Sequence, residues 1–244
     1  MWPSRFDRRR FLAASAFLAL GGRTLYAQGP TERDIPPVNL PEDRPGIWTL
    51  HFRYKVPRII TVRGPNGQPQ EIWYMWFQVY NRTGDPQTFL PEFELVAHNP
   101  DVNLLDEPRP YAVDAVRKIE NPNREDKRLP QLWVHTTIDI AKRPIEPTKE
   151  DSFPNTVTGA AIWTDMAKQA PKTNKFSIFI SGLSDGLTQG KLPSGETLIK
   201  RKTLQLDFLR PTDESRAAIT DIRLDPGVAT PENWIYRPSS RLKQ

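Results

Sequence analysis

Between Glu71 and Asn81 the chain reads EIWYMWFQVYN, and no other stretch restricts its fold as much. At the two-residue period of an extended strand, Trp73, Met75, Phe77 and Val79 fall on one side. Ile72, Tyr74, Trp76 and Tyr80 fall on the other. A strand that is apolar on both faces must be covered on both, so it is central in its sheet. The segment before it is half as demanding. Trp48, Leu50, Phe52, Tyr54 and Val56 alternate with Thr49, His51, Arg53 and Lys55, which gives one buried face and one wet face. Pro57 breaks the alternation, and residues 59–62 extend the strand past a bulge or bend. Gly64-Pro65-Asn66-Gly67 then turns the chain.

Strand signals continue to the C-terminus. Phe89, Phe93 and Leu95 mark one strand, with Pro91 pointing to an edge or bulge. Leu132, Val134, Thr136, Ile138 and Ile140 alternate, and further strands are expected over 156–163, 175–181, 197–209, 217–224 and 234–237. A single helix is predicted, Tyr111 to Glu120, with Val113, Val116 and Ile119 on one face and a stop at Asn121-Pro122. Parallel α/β folds need a helix between strands, and those helices are missing. The expectation is an all-β antiparallel sandwich with Greek-key connections and one short helix, a single domain over 47–244. Two small sheets packed together is the second choice.

The first 27 residues read as an address. Arg8, Arg9 and Arg10 precede Phe11 and Leu12, an apolar run reaches Leu20, and Leu25-Tyr26-Ala27 offers a cleavage point. The run is half the roughly 20 residues needed to cross a bilayer, so no transmembrane anchor is expected. Arg8, Arg9, Phe11 and Leu12 resemble a twin-arginine export signal, with an ordinary secretory signal as the competitor. Residues 28–46 hold five prolines and form an extended arm or linker, for which Ile35, Val38 and Leu40 supply some apolar surface. The leader also explains the charge. Its five arginines against Asp7 account for four of the five net positive charges, so the basic balance is no argument for nucleic acid.

Chemistry is sparse. With no Cys, there is no disulfide, thiolate metal site or cysteine nucleophile. His51, His98 and His135 are far apart in sequence and predict no metal site, and no cofactor is expected. Gly182-Leu183-Ser184-Asp185-Gly186 fits the nucleophile-elbow string, yet no helix follows it and every His lies upstream, so a turn is expected. Residues 101–107 offer oxygen ligands but break the calcium-loop pattern. Glu92 and Glu94 share a strand face at a spacing that acid–base work on a sugar would accept, though solvated faces often carry such pairs. Tyr74, Trp76 and Tyr80 would make a sugar-stacking platform if exposed, and core if covered.

With its leader, its Pro-rich arm and the strings IWYMWFQVYNRTGD and FSIFISGLSDG, the chain resembles exported bacterial immunoglobulin-like β-sandwich proteins of undescribed function. The resemblance implies an immunoglobulin-like sandwich and a periplasmic or secreted location, and it carries no catalytic residues. The expected function is a non-catalytic binding or structural module of the cell envelope whose partner is a protein or glycan. The alternative is a carbohydrate-binding module or weak glycoside hydrolase, with Tyr74, Trp76 and Tyr80 as the ligand-binding candidates.

Overall fold

The computed structural model describes residues 32–121, 133–149, 154–191, 194–211 and 222–238. The leader residues Arg8, Arg9, Phe11, Leu12 and Ala27, and most of the strand expected over 217–224, lie outside them.

Two sheets face each other. The first contains β1 (Glu32–Ile35), β2 (His51–Lys55), β3 (Arg58–Arg63), β4 (Pro69–Tyr80), β7 (His135–Thr136) and β8 (Thr156–Trp163). Its order is β1-β2-β4-β8-β7, with β3 also paired to β4. The second contains β5 (Glu92–His98), β6 (Asp101–Leu105), β9 (Lys175–Ser181), β10 (Leu187–Lys191), β11 (Thr197–Leu209), β12 (Arg223–Leu224) and β13 (Glu232–Pro238). Its order is β10-β11-β9-β5-β6, with β12 and β13 on the other flank of β11. Pairing is antiparallel throughout except for the short β7–β8 pair, so the fold is an all-β sandwich.

The long apolar strand is central, as its two-sided pattern requires. β4 pairs with β8 along one flank and with β2 and β3 in succession along the other. Tyr54 lies opposite Phe77 and Arg58 opposite Tyr74, so three residues between Tyr54 and Arg58 face two on β4. That one-residue bulge contains Pro57, which has no amide proton to give to a ladder. The inner face of β4 meets Phe93, Phe176, Leu204 and Phe208 of the second sheet in the main core. Trp73 stands edge-on to Phe176 at 5.3 Å between ring centroids.

The outer face of β4 forms a second core under α1 (Pro110–Glu120), where Ile72, Tyr74 and Trp76 pack on Ala112, Val113 and Val116. Ile119 was expected on this face and is exposed instead. Six residues turn a helix by 600°, away from the starting face, whereas seven nearly restore it, so Glu120 rather than Ile119 comes back to the side of Val113. The alternation over 132–140 also resolves differently. After two strand residues the chain enters α2 (Thr137–Ile140), because Thr136 caps it by accepting a hydrogen bond from the Asp139 N–H at 3.0 Å. Two segments outside the expected strands, β6 and β10, are strands as well. A third short helix, α3 (Met166–Gln169), connects β8 to β9.

Candidate functional site

Residues on alternate positions of β5, β6, β9, β11 and β13 point away from the core and form the outer face of the second sheet. No described helix or strand packs over it. This is where polar chemistry collects, and three of the sequence candidates lead to it.

Glu94 is one. Phe93 and Leu95 belong to the main core, so Glu94 between them faces outward, yet it is only 3% exposed. Its Oε2 accepts from Arg237, and its Oε1 is buried without a partner. The Arg237 guanidinium lies 3.8 Å from the centroid of the Phe179 ring. Glu92 shares this face, but a carboxylate held under an arginine is not poised for acid–base work on a sugar.

His98 is the second. Ser177 donates to Asp207 Oδ1 at 2.5 Å, so its oxygen accepts from His98 Nε2 at 2.9 Å. Gln205 donates to both Asp207 oxygens, at 3.0 and 2.9 Å. The residue types are those of a hydrolytic triad, but the order differs. In a triad the imidazole lies between carboxylate and hydroxyl and takes the hydroxyl proton. Here the hydroxyl lies in the middle and donates a hydrogen bond to the carboxylate, and Ser177 is buried. The chain of bonds satisfies polar groups and activates nothing.

The segment considered for calcium is the third. Residues 101–105 are edge strand β6, with alternate residues exposed, and Asp106 accepts from Thr137 Oγ1 at 2.7 Å. Among the described residues no group of three His, Asp or Glu side chains has the geometry to hold a metal ion.

The remaining candidates sit elsewhere. Tyr74, Trp76 and Tyr80 are 1%, 5% and 4% exposed, so none presents a ring to solvent. Tyr74 donates to Glu120 Oε1 at 2.9 Å, and Lys55 reaches Glu120 Oε2 at 2.7 Å while lying 4.4 Å from the Trp76 ring centroid. Burial, with the Glu120 charge beside it, pushes the Tyr74 phenol up. Ser184 is fully committed. It donates to the Trp48 carbonyl at 2.6 Å and accepts from the Gly186 N–H and from Thr49 Oγ1, both at 3.1 Å. Leu183 accepts from the Leu50 N–H at 2.7 Å, so the string GLSDG joins the second sheet to the lead-in of β2. Gly182 has φ +91°, and a Cβ there would stand 2.1 Å from the Leu90 carbonyl oxygen. The turn reading of this motif matches the geometry. His51 pairs with Asp34 at 2.8 Å. Burial, the first cause, lowers the pKa of His135, and the Arg117 and Arg143 charges add to that against Asp139.

Sequence reasoning missed the fastening of the arm. Residues 32–46 cross from the first sheet to the second along the seam between β2 and β13. Arg33 grips Glu232 with two bonds, at 2.5 and 2.7 Å, and Tyr54 donates to the same carboxylate at 2.5 Å. Lys202, 1% exposed, donates to the Val38 carbonyl and to Asp43 Oδ2, both at 2.6 Å. Tyr236 donates to Asp43 Oδ1 at 2.7 Å. Burial raises the Asp43 carboxyl, but the bonds from Lys202, the Leu40 N–H and Tyr236 outweigh it and hold the group below its ordinary value. Tyr236 is pushed up to about 12 by burial and by Asp43. A signal did exist: Lys202 has the parity of Leu204, Leu206 and Phe208, which puts a lysine inside.

A recess of about 300 Å³ lies between residues 144–146 and 154–157, where Glu146 is the one ionisable lining residue among the described residues. No family model matches the chain, and neither the curated proteins nor the solved structures give a match.

Proposed function

We propose that the chain is an exported β-sandwich module of the cell envelope that acts by binding another protein and carries no catalytic centre of its own. The observation that supports this is the asymmetry of the outer faces. The first sheet is roofed by α1, whereas the second has no described element over it and exposes Leu105, Leu187 and Ile199 beside its polar chain. Exposed aliphatic side chains interleaved with polar groups are the usual make-up of a transient protein interface. The groups that resemble catalytic sets are consumed by internal bonds, which removes the motive for an enzymatic reading. No described helix is long and apolar enough to cross a membrane. Export rests on the leader, and the immunoglobulin-like kinship rests on the sequence resemblance.

Three experiments test the reading. N-terminal sequencing of protein from a bacterial envelope fraction should begin at Gln28, and an intact Met1 in cytosolic protein would overturn export. Replacing Arg8 and Arg9 together by Lys should stop export through the twin-arginine route, and unchanged export would assign the ordinary secretory route. A photo-crosslinker at Arg201, on the outer face of the second sheet, should capture a defined envelope protein, while one at Arg63 on the first sheet should not.

A further inference from the structure

We infer that the free flank of β6 accepts an extended, basic peptide strand from a partner protein, adding it to the second sheet. The inference rests on the binding-module reading and assigns that module a place and a partner chemistry.

An unpaired edge presents backbone donors and acceptors, and folded proteins normally guard such edges with charge, proline or brevity. The edges here differ in this respect. β1 has four residues, three of them charged, and runs into Pro36-Pro37. β13 carries Glu232 and Arg237 and ends at Pro238. β10 contains Gly190 and Lys191. On the β8 side, the Glu107 N–H already donates to the Ile162 carbonyl at 2.7 Å. β6 reads Asp-Val-Asn-Leu-Leu, without proline or a cation, and among the described residues it pairs only with β5.

The surroundings select the sign of the occupant. The sixteen residues from Glu92 to Glu107 carry five carboxylates, one His and no Lys or Arg; Arg237 pairs with Glu94 and Arg109 with Glu107, and the balance stays acidic. An acidic hairpin with an open edge favours a cationic strand and repels an anionic one. A second observation points the same way. Glu94 Oε1 is a buried acceptor with no donor, inside a residue that is 97% enclosed. Leu105 lies directly opposite Glu94 in register, on the side of the free flank, and is 44% exposed. A lysine or arginine on an incoming strand would pass Leu105 on that face and bring the missing donor to Glu94. A buried carboxylate oxygen gains much more from a charged donor than an exposed one does.

The test uses the mature chain and two synthetic peptides, one of alternating lysine and valine over seven residues and one of alternating glutamate and valine. The lysine peptide should bind, shift the amide resonances of residues 101–105, and slow amide exchange in β6 by about tenfold or more. The glutamate peptide should do neither. Raising the salt should weaken the lysine complex. Asn103→Lys with Leu105→Lys should cut the affinity at least tenfold at an unchanged thermal midpoint, since both residues are exposed. Glu94→Gln should weaken binding while leaving the β6 contact in place. Equal binding of both peptides, no binding at millimolar peptide, or shifts centred on β1 or β13 would overturn the inference. The module reading fails separately, if the Arg201 crosslinker captures nothing in the envelope.

Discussion

The outer faces of the two sheets are built from strands of the same kind and end in opposite states. On the first sheet, Ile72, Tyr74 and Trp76 lie under Ala112, Val113 and Val116, and the helix that covers them is tied down by Glu120. On the second, Ser177, Gln205 and Asp207 occupy equivalent outward positions and satisfy one another through hydrogen bonds, with no described helix or strand over them. An apolar outer face needs a third layer, whereas a polar one can remain at the surface. The difference is already present in the strand sequences, WYMWFQVY in β4 and FSIFIS in β9. It gives the first face a packing role, and the second is the one to which the proposed contact is assigned.

The largest expected effect separates the two faces. Trp76→Ala should cost about 4 kcal/mol by opening a cavity under α1, whereas Leu105→Ala on the open face should change stability by less than about 0.5 kcal/mol. Denaturant midpoints at constant slope measure both. A small loss at Trp76 accompanied by loss of glycan binding would return the carbohydrate alternative.

Next comes the seam that joins the sheets. Lys202→Ala leaves the Asp43 carboxylate buried without its cation and should cost about 3 kcal/mol. Proteolysis of the arm around residues 32–46 should then precede unfolding of the sandwich, and simultaneous loss of both would contradict the strap.

The same seam predicts an acid limb. Asp43 and Glu232 both have folded values below their ordinary ones; for Glu232 burial pulls upward, and the bonds from Arg33 and Tyr54 outweigh it. Each therefore adds stability that is complete above the usual carboxylate range near pH 4 and is lost as pH falls through the folded value. The denaturant midpoint should hold between about pH 7 and pH 5 and decline below about pH 4. Glu232→Gln should flatten that decline, and an unchanged acid limb would show that the seam is not its source.

A smaller effect concerns Ser184. Its hydroxyl bonds hold the second sheet to the lead-in of β2, so Ser184→Ala should cost about 1 kcal/mol. A fluorophosphonate probe should leave the parent chain unlabelled, and labelling lost in the variant would overturn the turn reading.

Much of this was legible in the strands with strict alternation. β2, β9 and most of β11 follow from period two, β8 from its place among the expected strands, and the two-sided burial of β4 from its aromatics. What escaped notice depended on partners remote in sequence. Lys202 and Asp43 are 159 residues apart, and His98 and Ser177 are 79 apart, so nothing local announces either pair. Glu120 was hidden by a wrong helical phase. β6 and β10 are too short and too mixed for alternation to stand out, and at Thr136 a helix cap overrode a run of alternating residues.

Because the chain has no Cys, a single introduced thiol reports its own surroundings. The most direct test of the contrast between the faces places one at Leu105 and one at Ala160, which is 2% exposed under α1. The account predicts that Leu105→Cys reacts with a maleimide in the native protein about as fast as a free thiol, and that Ala160→Cys reacts only on unfolding. Rapid native labelling at Ala160, or protection at Leu105 in the isolated monomer, would contradict it.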